Sequence, residues 1–153
     1  MKFLFVDEEN AYEGRIAEAI AYDVMEGTGF DVETSSRGLN VTEGKKMSNF
    51  TMAILTAVDL EPDMDRLDAV QVSQKDIEDA DIVMTMTSEQ KDRLSAVCPS
   101  EKLYTLLEYT TGDPSDIMSP KGYPMNAYKE CLCGIGEAFG SLLDKWQNEK
   151  GNE

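Results

Sequence analysis

The chain begins with a short apolar segment, a polar loop and a helical pattern, in that order. Residues 2–6 have the length and composition of a buried strand, and apolar side chains recur at helical spacing over about 15–27. Strand and helix then alternate along the rest of the chain. This alternation predicts an α/β fold in three layers, in which a four-stranded parallel sheet has helices on both faces and right-handed crossovers.

The element boundaries follow from periodicity and from turn residues. Strands are predicted at 2–6, 30–35, 81–86 and 102–106. Helices are predicted at about 15–27, 50–58, 75–80, 88–97 and 125–147, with a further helical turn at 107–110. Residues 112–124 contain Pro and Gly repeatedly and are predicted to form a long loop, and the polar tail 148–153 is expected to fray. No linker or internal repeat divides the chain, so we predict one domain over residues 1–153.

The charge of the chain is strongly negative. It has 30 acidic and 14 basic residues, which gives a formal net charge of -16. Nucleic acids and anionic membranes are bound through clustered Lys and Arg, so neither is an expected partner. No apolar run approaches the roughly 18–20 residues of a membrane span, and the start does not resemble a signal peptide. We therefore expect an acidic cytoplasmic protein, with its three cysteines reduced.

The loop after the first strand is unusually acidic. It carries Asp7, Glu8, Glu9 and Glu13 before its first base, Arg15. In α/β proteins a strand-to-helix turn of this kind normally binds anions, because free backbone N–H groups and the helix dipole point at it. Either this loop binds a cation instead, or its own carboxylates occupy the space of the anion.

Both interpretations have a physical basis. The oxygen atoms of Asp7, Glu8, Glu9, Asn10 and Glu13 suit Mg²⁺ or Ca²⁺, or a Lys or Arg side chain from a partner protein. In that case Asp7, Glu9 and Glu13 are the candidate metal ligands. In the other case the Asp7 carboxylate accepts hydrogen bonds from the loop amides and the start of the helix, and no ligand is needed.

Several segments have counterparts in a known family. Residues 76–87 read Asp-Ile-Glu-Asp-Ala-Asp-Ile-Val-Met-Thr-Met-Thr, residues 36–39 read Ser-Arg-Gly-Leu, and residues 102–106 read Lys-Leu-Tyr-Thr-Leu. Asn10, residues 17–19 and Tyr128 also match. With the order of elements, these segments resemble the low-molecular-weight protein tyrosine phosphatase family, which includes bacterial arginine phosphatases and thioredoxin-coupled arsenate reductases. The resemblance covers nearly the whole chain and implies the phosphotyrosine protein phosphatase I-like fold.

The chemistry that the resemblance implies depends on residues that this chain replaces. The family has C-x-x-x-x-x-R-[ST] after its first strand, where a thiolate attacks phosphorus while the Arg and the loop amides hold the phosphate oxygens. In register, Asp7 stands at the Cys and Glu13 at the Arg, while Tyr12 and Gly14 stand at a second Cys and at the Ser. The general acid of the family is the Asp of an Asp-Pro pair, and the pair here is Ser119-Pro120.

We therefore predict a catalytically inactive relative of these phosphatases that acts by binding or regulation. The predicted binding residues are Asp7, Glu8, Glu9, Asn10, Glu13 and Ser119. The predicted partner is an unidentified protein or a cationic ligand, and no cofactor is expected. The alternative is a metal-dependent enzyme or a cation-binding protein that uses the acidic cleft with Mg²⁺ or Ca²⁺. Two further alternatives find less support, because a receiver domain and an Asp-nucleophile phosphatase both need additional Asp and Lys residues that the chain lacks at the expected places.

Overall fold

The computed structural model describes residues 1–152 and contains one four-stranded sheet. The strands are β1 (Lys2–Asp7), β2 (Glu33–Gly38), β3 (Ile82–Thr85) and β4 (Leu103–Thr105). Their order across the sheet is β2-β1-β3-β4, and every neighbouring pair is parallel. The predicted α/β fold with a four-stranded parallel sheet is therefore confirmed.

The helices alternate with these strands along the chain. They are α1 (Glu13–Met25), α2 (Asn49–Ala57), α3 (Gln74–Asp79), α4 (Ser88–Leu94), α5 (Leu106–Thr111) and α6 (Met125–Gly151). Single 3₁₀ turns occur at Met64–Arg66 and Ser100–Lys102. Among residues 1–152, no helix has both the length and the apolar character that crossing a membrane requires.

The central strand β1 supplies side chains to both faces of the sheet, as the period of two in a strand requires. Phe3 and Phe5 lie in the larger core, which α1, α2, α5 and α6 cover. Leu4 and Val6 lie in the smaller core, which α3 and α4 cover. The sheet is thus covered on both faces, and the carboxyl end of β1 lies between those of β2 and β3.

Several predicted boundaries differ from the structure, and three of the differences are described below. Strand β2 begins at Glu33 instead of 30, because its pairing with β1 starts there and Phe30 packs against Trp146, with 5.3 Å between ring centroids. Helix α1 begins at Glu13 instead of 15, because Asp7 accepts a hydrogen bond from an amide of its first turn. Helix α6 continues to Gly151 instead of ending at 147, so most of the tail that was expected to fray is helical. Residue 153 lies outside the described residues.

Candidate functional site

The loop between β1 and α1 is fixed by the side chain of Asn10. Asn10 is fully buried and has a positive φ of 55°, a conformation that Asn adopts more readily than most residues. Its amide nitrogen donates to Ser36 Oγ at 3.0 Å, and its amide oxygen accepts from the backbone N–H of Val70 at 2.9 Å. The side chain of Asn10 therefore holds the loop against β2 and against the backbone at Val70.

The carboxylate of Asp7 fills the inside of this loop. Its Oδ1 accepts from the backbone N–H of Asn10 at 2.6 Å, and its Oδ2 accepts from the backbone N–H of Gly14 at 2.9 Å. Only 1% of Asp7 is exposed, and burial raises its pKa to about 6, although these two hydrogen bonds and the charge of Arg15 act in the opposite direction. This is the geometry expected if the loop binds its own carboxylate.

The absence of a side chain at Gly14 makes room for Asp7. A Cβ atom built on Gly14 would lie 2.8 Å from Asp7 Oδ2 and 2.9 Å from Asp7 Cγ, which is closer than real Cβ atoms approach other heavy atoms. Because the loop encloses the side chain of Asp7, this side chain cannot move aside to accommodate the added atom. Asp7 and Gly14 therefore depend on each other sterically as well as through their hydrogen bond.

Glu13 is a second buried carboxyl group beside Asp7. It is 3% exposed, and its Oε2 is a buried oxygen without a hydrogen-bond partner among the described residues. Burial, with a further contribution from the charge of Asp7, raises the pKa of Glu13 to about 8, while the neighbouring Ser119 acts to lower it. The pair therefore retains a proton at pH 7, mainly on Glu13, since a neutral oxygen is far less costly to bury without a partner than a charged one.

Two lysines from distant segments meet at the loop's outer side. Lys121 Nζ lies 2.7 Å from Glu9 Oε2, and Lys45 Nζ lies 3.5 Å from Glu9 Oε1. Lys45 also donates to the hydroxyl of Tyr12 at 3.2 Å, and both ammonium groups lie over the Tyr12 ring, at 5.3 and 5.8 Å from its centroid. Burial acts to raise the pKa of Glu9, but Lys121 and Lys45 outweigh it and lower that pKa. Glu9 is thus an ionised group whose charge is already compensated.

The remaining charges of the loop also have partners. Glu8 forms a two-pronged ion pair with Arg93, at 2.7 and 3.2 Å. The guanidinium of Arg15 donates to four backbone carbonyl groups, one in the loop and three in the 66–68 segment. These are the carbonyls of Asn10, Arg66, Leu67 and Asp68. Arg15 therefore fixes the 66–68 segment and is not free to hold an anion.

The structure places the predicted site residues in two groups. Asp7, Asn10 and Glu13 converge inside the loop with Ser119 beside them, whereas Glu8 and Glu9 point outward to basic partners. Within the part of the chain that the structure describes, no group of three or more acidic, Cys or His side chains is placed to hold a metal ion. The predicted metal ligands Asp7, Glu9 and Glu13 are therefore not assembled, because Glu9 is drawn away by the two lysines.

Divalent cations are accordingly expected to have no specific effect on stability. Millimolar Ca²⁺ or Mg²⁺ should raise the melting temperature no more than NaCl at the same ionic strength, which only screens the net charge. Differential scanning fluorimetry of wild type and of Glu13→Gln measures this directly. A specific rise of several degrees that the Glu13→Gln variant lacks would instead show that the loop binds these ions.

Four residues of the site were not identified from the sequence as members of it. Lys45, Lys121 and Arg93 each neutralise an acid of the loop, and Gly14 was noticed only as a replaced position. Lys121 lies 112 positions from its partner Glu9, so no local pattern connects them. The only available signal was a basic residue two positions after Ser119 in the predicted late loop.

The parallel sheet, with its strand-to-helix loop at the carboxyl end of β1, agrees with the resemblance noted from the sequence. The chain belongs to the low molecular weight phosphotyrosine protein phosphatase family, whose pattern matches residues 2–152. The reaction described above for this family uses a thiolate and an Arg, which agrees with the prediction of no resident cofactor.

Among its relatives is the low molecular weight protein-tyrosine-phosphatase PtpB of Staphylococcus epidermidis. The two are 31% identical over 146 residues, which are 95% of this chain and 96% of PtpB. The chain is also 25% identical to the protein-arginine-phosphatase of Bacillus subtilis over 154 residues, covering 98% of this chain and 99% of that protein. A crystal structure of a YwlE mutant from Bacillus subtilis superimposes with a TM-score of 0.87 at 23% identity, over 96% and 99% of the two chains. This last likeness concerns the fold.

Proposed function

We propose that this protein does not catalyse phosphoryl transfer and acts instead by binding. The observation that carries the proposal is the position of the Asp7 carboxylate, which accepts hydrogen bonds from the loop amides of Asn10 and Gly14. Amides at a strand-to-helix turn are the groups that hold phosphate oxygens in proteins of this architecture. In this chain an acidic side chain of the protein itself occupies two of them.

The residue types at the matched positions support the same conclusion. Asp7, Glu13 and Ser119 stand where the family pattern has the Cys nucleophile, the phosphate-binding Arg and the Asp general acid. A carboxylate held by two amides is a poor substitute for a thiolate, and Ser119 has no proton that it releases at neutral pH. All three chemical roles of the reaction therefore lack their usual group.

Electrostatics also disfavour phosphate at this loop. A phosphate charge about 4 Å from one ionised carboxylate is repelled by on the order of 4 kcal/mol at an effective dielectric constant near 20. Each 1.4 kcal/mol corresponds to about tenfold in affinity, so a single ionised Asp7 excludes phosphate from the loop. The arginine of this region, Arg15, donates its hydrogen bonds to backbone carbonyls, so it offers no hydrogen bond to a phosphate in the loop.

The outer side of the loop is closed by salt bridges. Glu9 joins Lys45 and Lys121, so it links the loop to the segment before α2 and to the 112–124 segment. A substrate that approached Asp7 from this side would have to separate these pairs and displace the Tyr12 ring over which both lysines lie. A protein that turns over no phosphorylated substrate does not need this side of the loop to open, so the closed arrangement agrees with the proposal.

Assays of phosphate release test the proposal. The relatives are named as a protein-tyrosine-phosphatase and a protein-arginine-phosphatase, so the substrates are para-nitrophenyl phosphate, a phosphotyrosine peptide and a phosphoarginine peptide. We expect no release above the buffer blank between pH 5 and pH 8. The positive control is the Staphylococcus epidermidis relative, assayed at the same concentration and pH.

Two outcomes would contradict the proposal, and they differ in meaning. Metal-independent turnover of about 1 s⁻¹ or more, abolished by Asp7→Ala but not by Asp116→Asn, would show that the loop is an active site. Asp116 is a suitable control because it is an acid of the neighbouring late loop that accepts hydrogen bonds from Ser88. Turnover that appears only with Mg²⁺ or Ca²⁺ would support a metal-dependent enzyme instead.

A further inference from the structure

A groove of about 570 Å³ lies on the side of α1 that faces the segment after α2. Its apolar surface comes from α1, from the approach to β2 and from the end of α2, and includes Ala19, Val32, Leu55 and Leu60. The ring of Tyr22 borders it and is 52% exposed. A groove of this size and apolar character can accept one or two side chains of a ligand.

The walls of this groove carry an excess of negative charge. Five acidic residues line it, namely Glu18, Glu33, Asp59, Glu61 and Asp63, against two basic residues, Arg15 and Arg66. Both basic side chains are already engaged. Arg15 donates to backbone carbonyl groups, and Arg66 forms an ion pair with Glu18 at 2.8 Å.

Three other acids of the groove have no close ion-pair partner among the described residues and are accessible to a ligand. Asp59 and Glu61 are exposed and form no ion pair with any residue from 1 to 152. Glu33 has only a long contact of 3.8 Å with Lys2, and its side chain is 70% exposed. The groove therefore presents an apolar floor beside uncompensated carboxylates.

The backbone conformation and the charge of Asp59 are both unfavourable at its position in the fold. It follows the end of α2 with a positive φ of 61°, and the next amide, that of Leu60, donates to the carbonyl of Leu55 at 2.8 Å. This is the turn that commonly ends a helix with Gly, because Gly has no Cβ to strain. A carboxylate here also lies at the negative end of the helix dipole. A cation bound at the groove would offset that repulsion.

We propose that this groove binds a basic segment of a partner protein. An apolar side chain of the partner enters between α1 and the 59–63 segment, and flanking Lys or Arg side chains pair with Asp59, Glu61 and Glu33. Charge complementarity is the basis of the assignment, since a basic segment meets attraction both from these acids and from the -16 net charge. The groove is separate from the Asp7 loop, so the proposal does not depend on whether the loop is catalytically silent.

Fluorescence anisotropy with designed peptides tests the proposal. The probe is a fluorescein-labelled nonapeptide that alternates Lys with Leu, compared with one in which Ala replaces Leu and one in which Glu replaces Lys. We expect saturable binding of the Lys and Leu peptide, at least about tenfold weaker binding of the Lys and Ala peptide, and none of the Glu peptide. Equal binding of the first two would mean nonspecific charge attraction, and no binding of the first at 1 mM would also overturn the proposal.

Protein variants locate the binding. The double variant Asp59→Asn with Glu61→Gln should weaken binding about tenfold or more, and Ala19→Leu should weaken it by filling the groove. The matched control is Asp92→Asn with Glu137→Gln, which removes the same charge from exposed positions on α4 and α6. Equal weakening by the control pair would place the peptide elsewhere.

One substitution separates binding from stability. Asp59→Gly should raise the melting temperature, because Gly suits the positive φ and removes the charge at the end of α2, yet it should weaken peptide binding. If Asp59 had only a structural role, this variant would leave the affinity unchanged. That result, with a normal melting curve, would overturn the role assigned to Asp59.

Discussion

The free energy of unfolding of the wild-type protein is expected to fall between pH 5 and pH 8. Replacing Glu13 with Gln is expected to abolish most of that fall. Burial raises the pKa of Glu13 to about 8 from its ordinary value of 4.5, so the fold favours the protonated carboxyl. The resulting stabilisation is fully present below about pH 4.5 and is lost as the pH rises through 8. One pKa unit corresponds to about 1.4 kcal/mol, and the part of this loss that falls between pH 5 and pH 8 is on the order of 3 kcal/mol.

Urea denaturation at several pH values measures this difference. The free energy of unfolding of Glu13→Gln should vary much less with pH than that of wild type, apart from the smaller contribution of Asp7, whose pKa is raised by burial to about 6. The control is Glu137→Gln, which removes an exposed carboxylate of α6 and should keep the wild-type slope. Parallel pH profiles for wild type and Glu13→Gln would show that Glu13 ionises freely in the folded protein.

The second large effect is expected from Gly14→Ala. The added Cβ would lie 2.8 Å from Asp7 Oδ2, and the hydrogen bond between the Gly14 amide and this oxygen would be displaced with it. Overpacking and a disturbed buried hydrogen bond together cost on the order of 3 kcal/mol. In a domain of this size that corresponds to a fall in melting temperature of roughly 6–12 °C, measurable by calorimetry.

Two comparisons make this prediction specific. Gly134→Ala in α6 is the matched control, because a Cβ there meets nothing within 4 Å and should stabilise the helix by about 0.5–1 kcal/mol. In an Asp7→Ala background, Gly14→Ala should cost less than about 1 kcal/mol, since the clashing carboxylate is gone. Additive effects of the two substitutions would contradict the steric coupling of Asp7 and Gly14.

The architecture was accessible from the sequence because it depends on local patterns. The apolar run of β1 and the helical spacing in α1 and α6 are strong signals, and alternation of strand and helix leaves few topologies. The start of β2 was placed three residues early because this edge strand is largely polar, so its extent is set by pairing with β1. The predicted end of α6 falls too early because residues 148–151 are polar and exposed, so no apolar spacing marks the last turn, in which Lys150 Nζ lies 5.5 Å from the centroid of the Phe30 ring.

The candidate site could be predicted only in part from the sequence. The acidic loop and the bonds of Asp7 to its amides follow from residue types next to a strand end. The ion pairs of Glu9 with Lys45 and Lys121 do not, because they join segments that only the fold brings together. The burial of Glu13 could not be predicted either, because a carboxylate next to a loop is normally expected to be solvated. Nothing in the sequence indicates that its Oε2 is buried without a hydrogen-bond partner among the described residues.

The close contact between Asp7 and Gly14 restricts the order in which this loop could change over generations. A side chain at position 14 clashes while the carboxylate remains at position 7, so the substitution at position 7 has to come first. That first step leaves the amides of Asn10 and Gly14 without the carboxylate that now accepts their hydrogen bonds. A return toward a phosphate-binding loop therefore begins with a less stable intermediate, which makes the present state of the loop difficult to reverse.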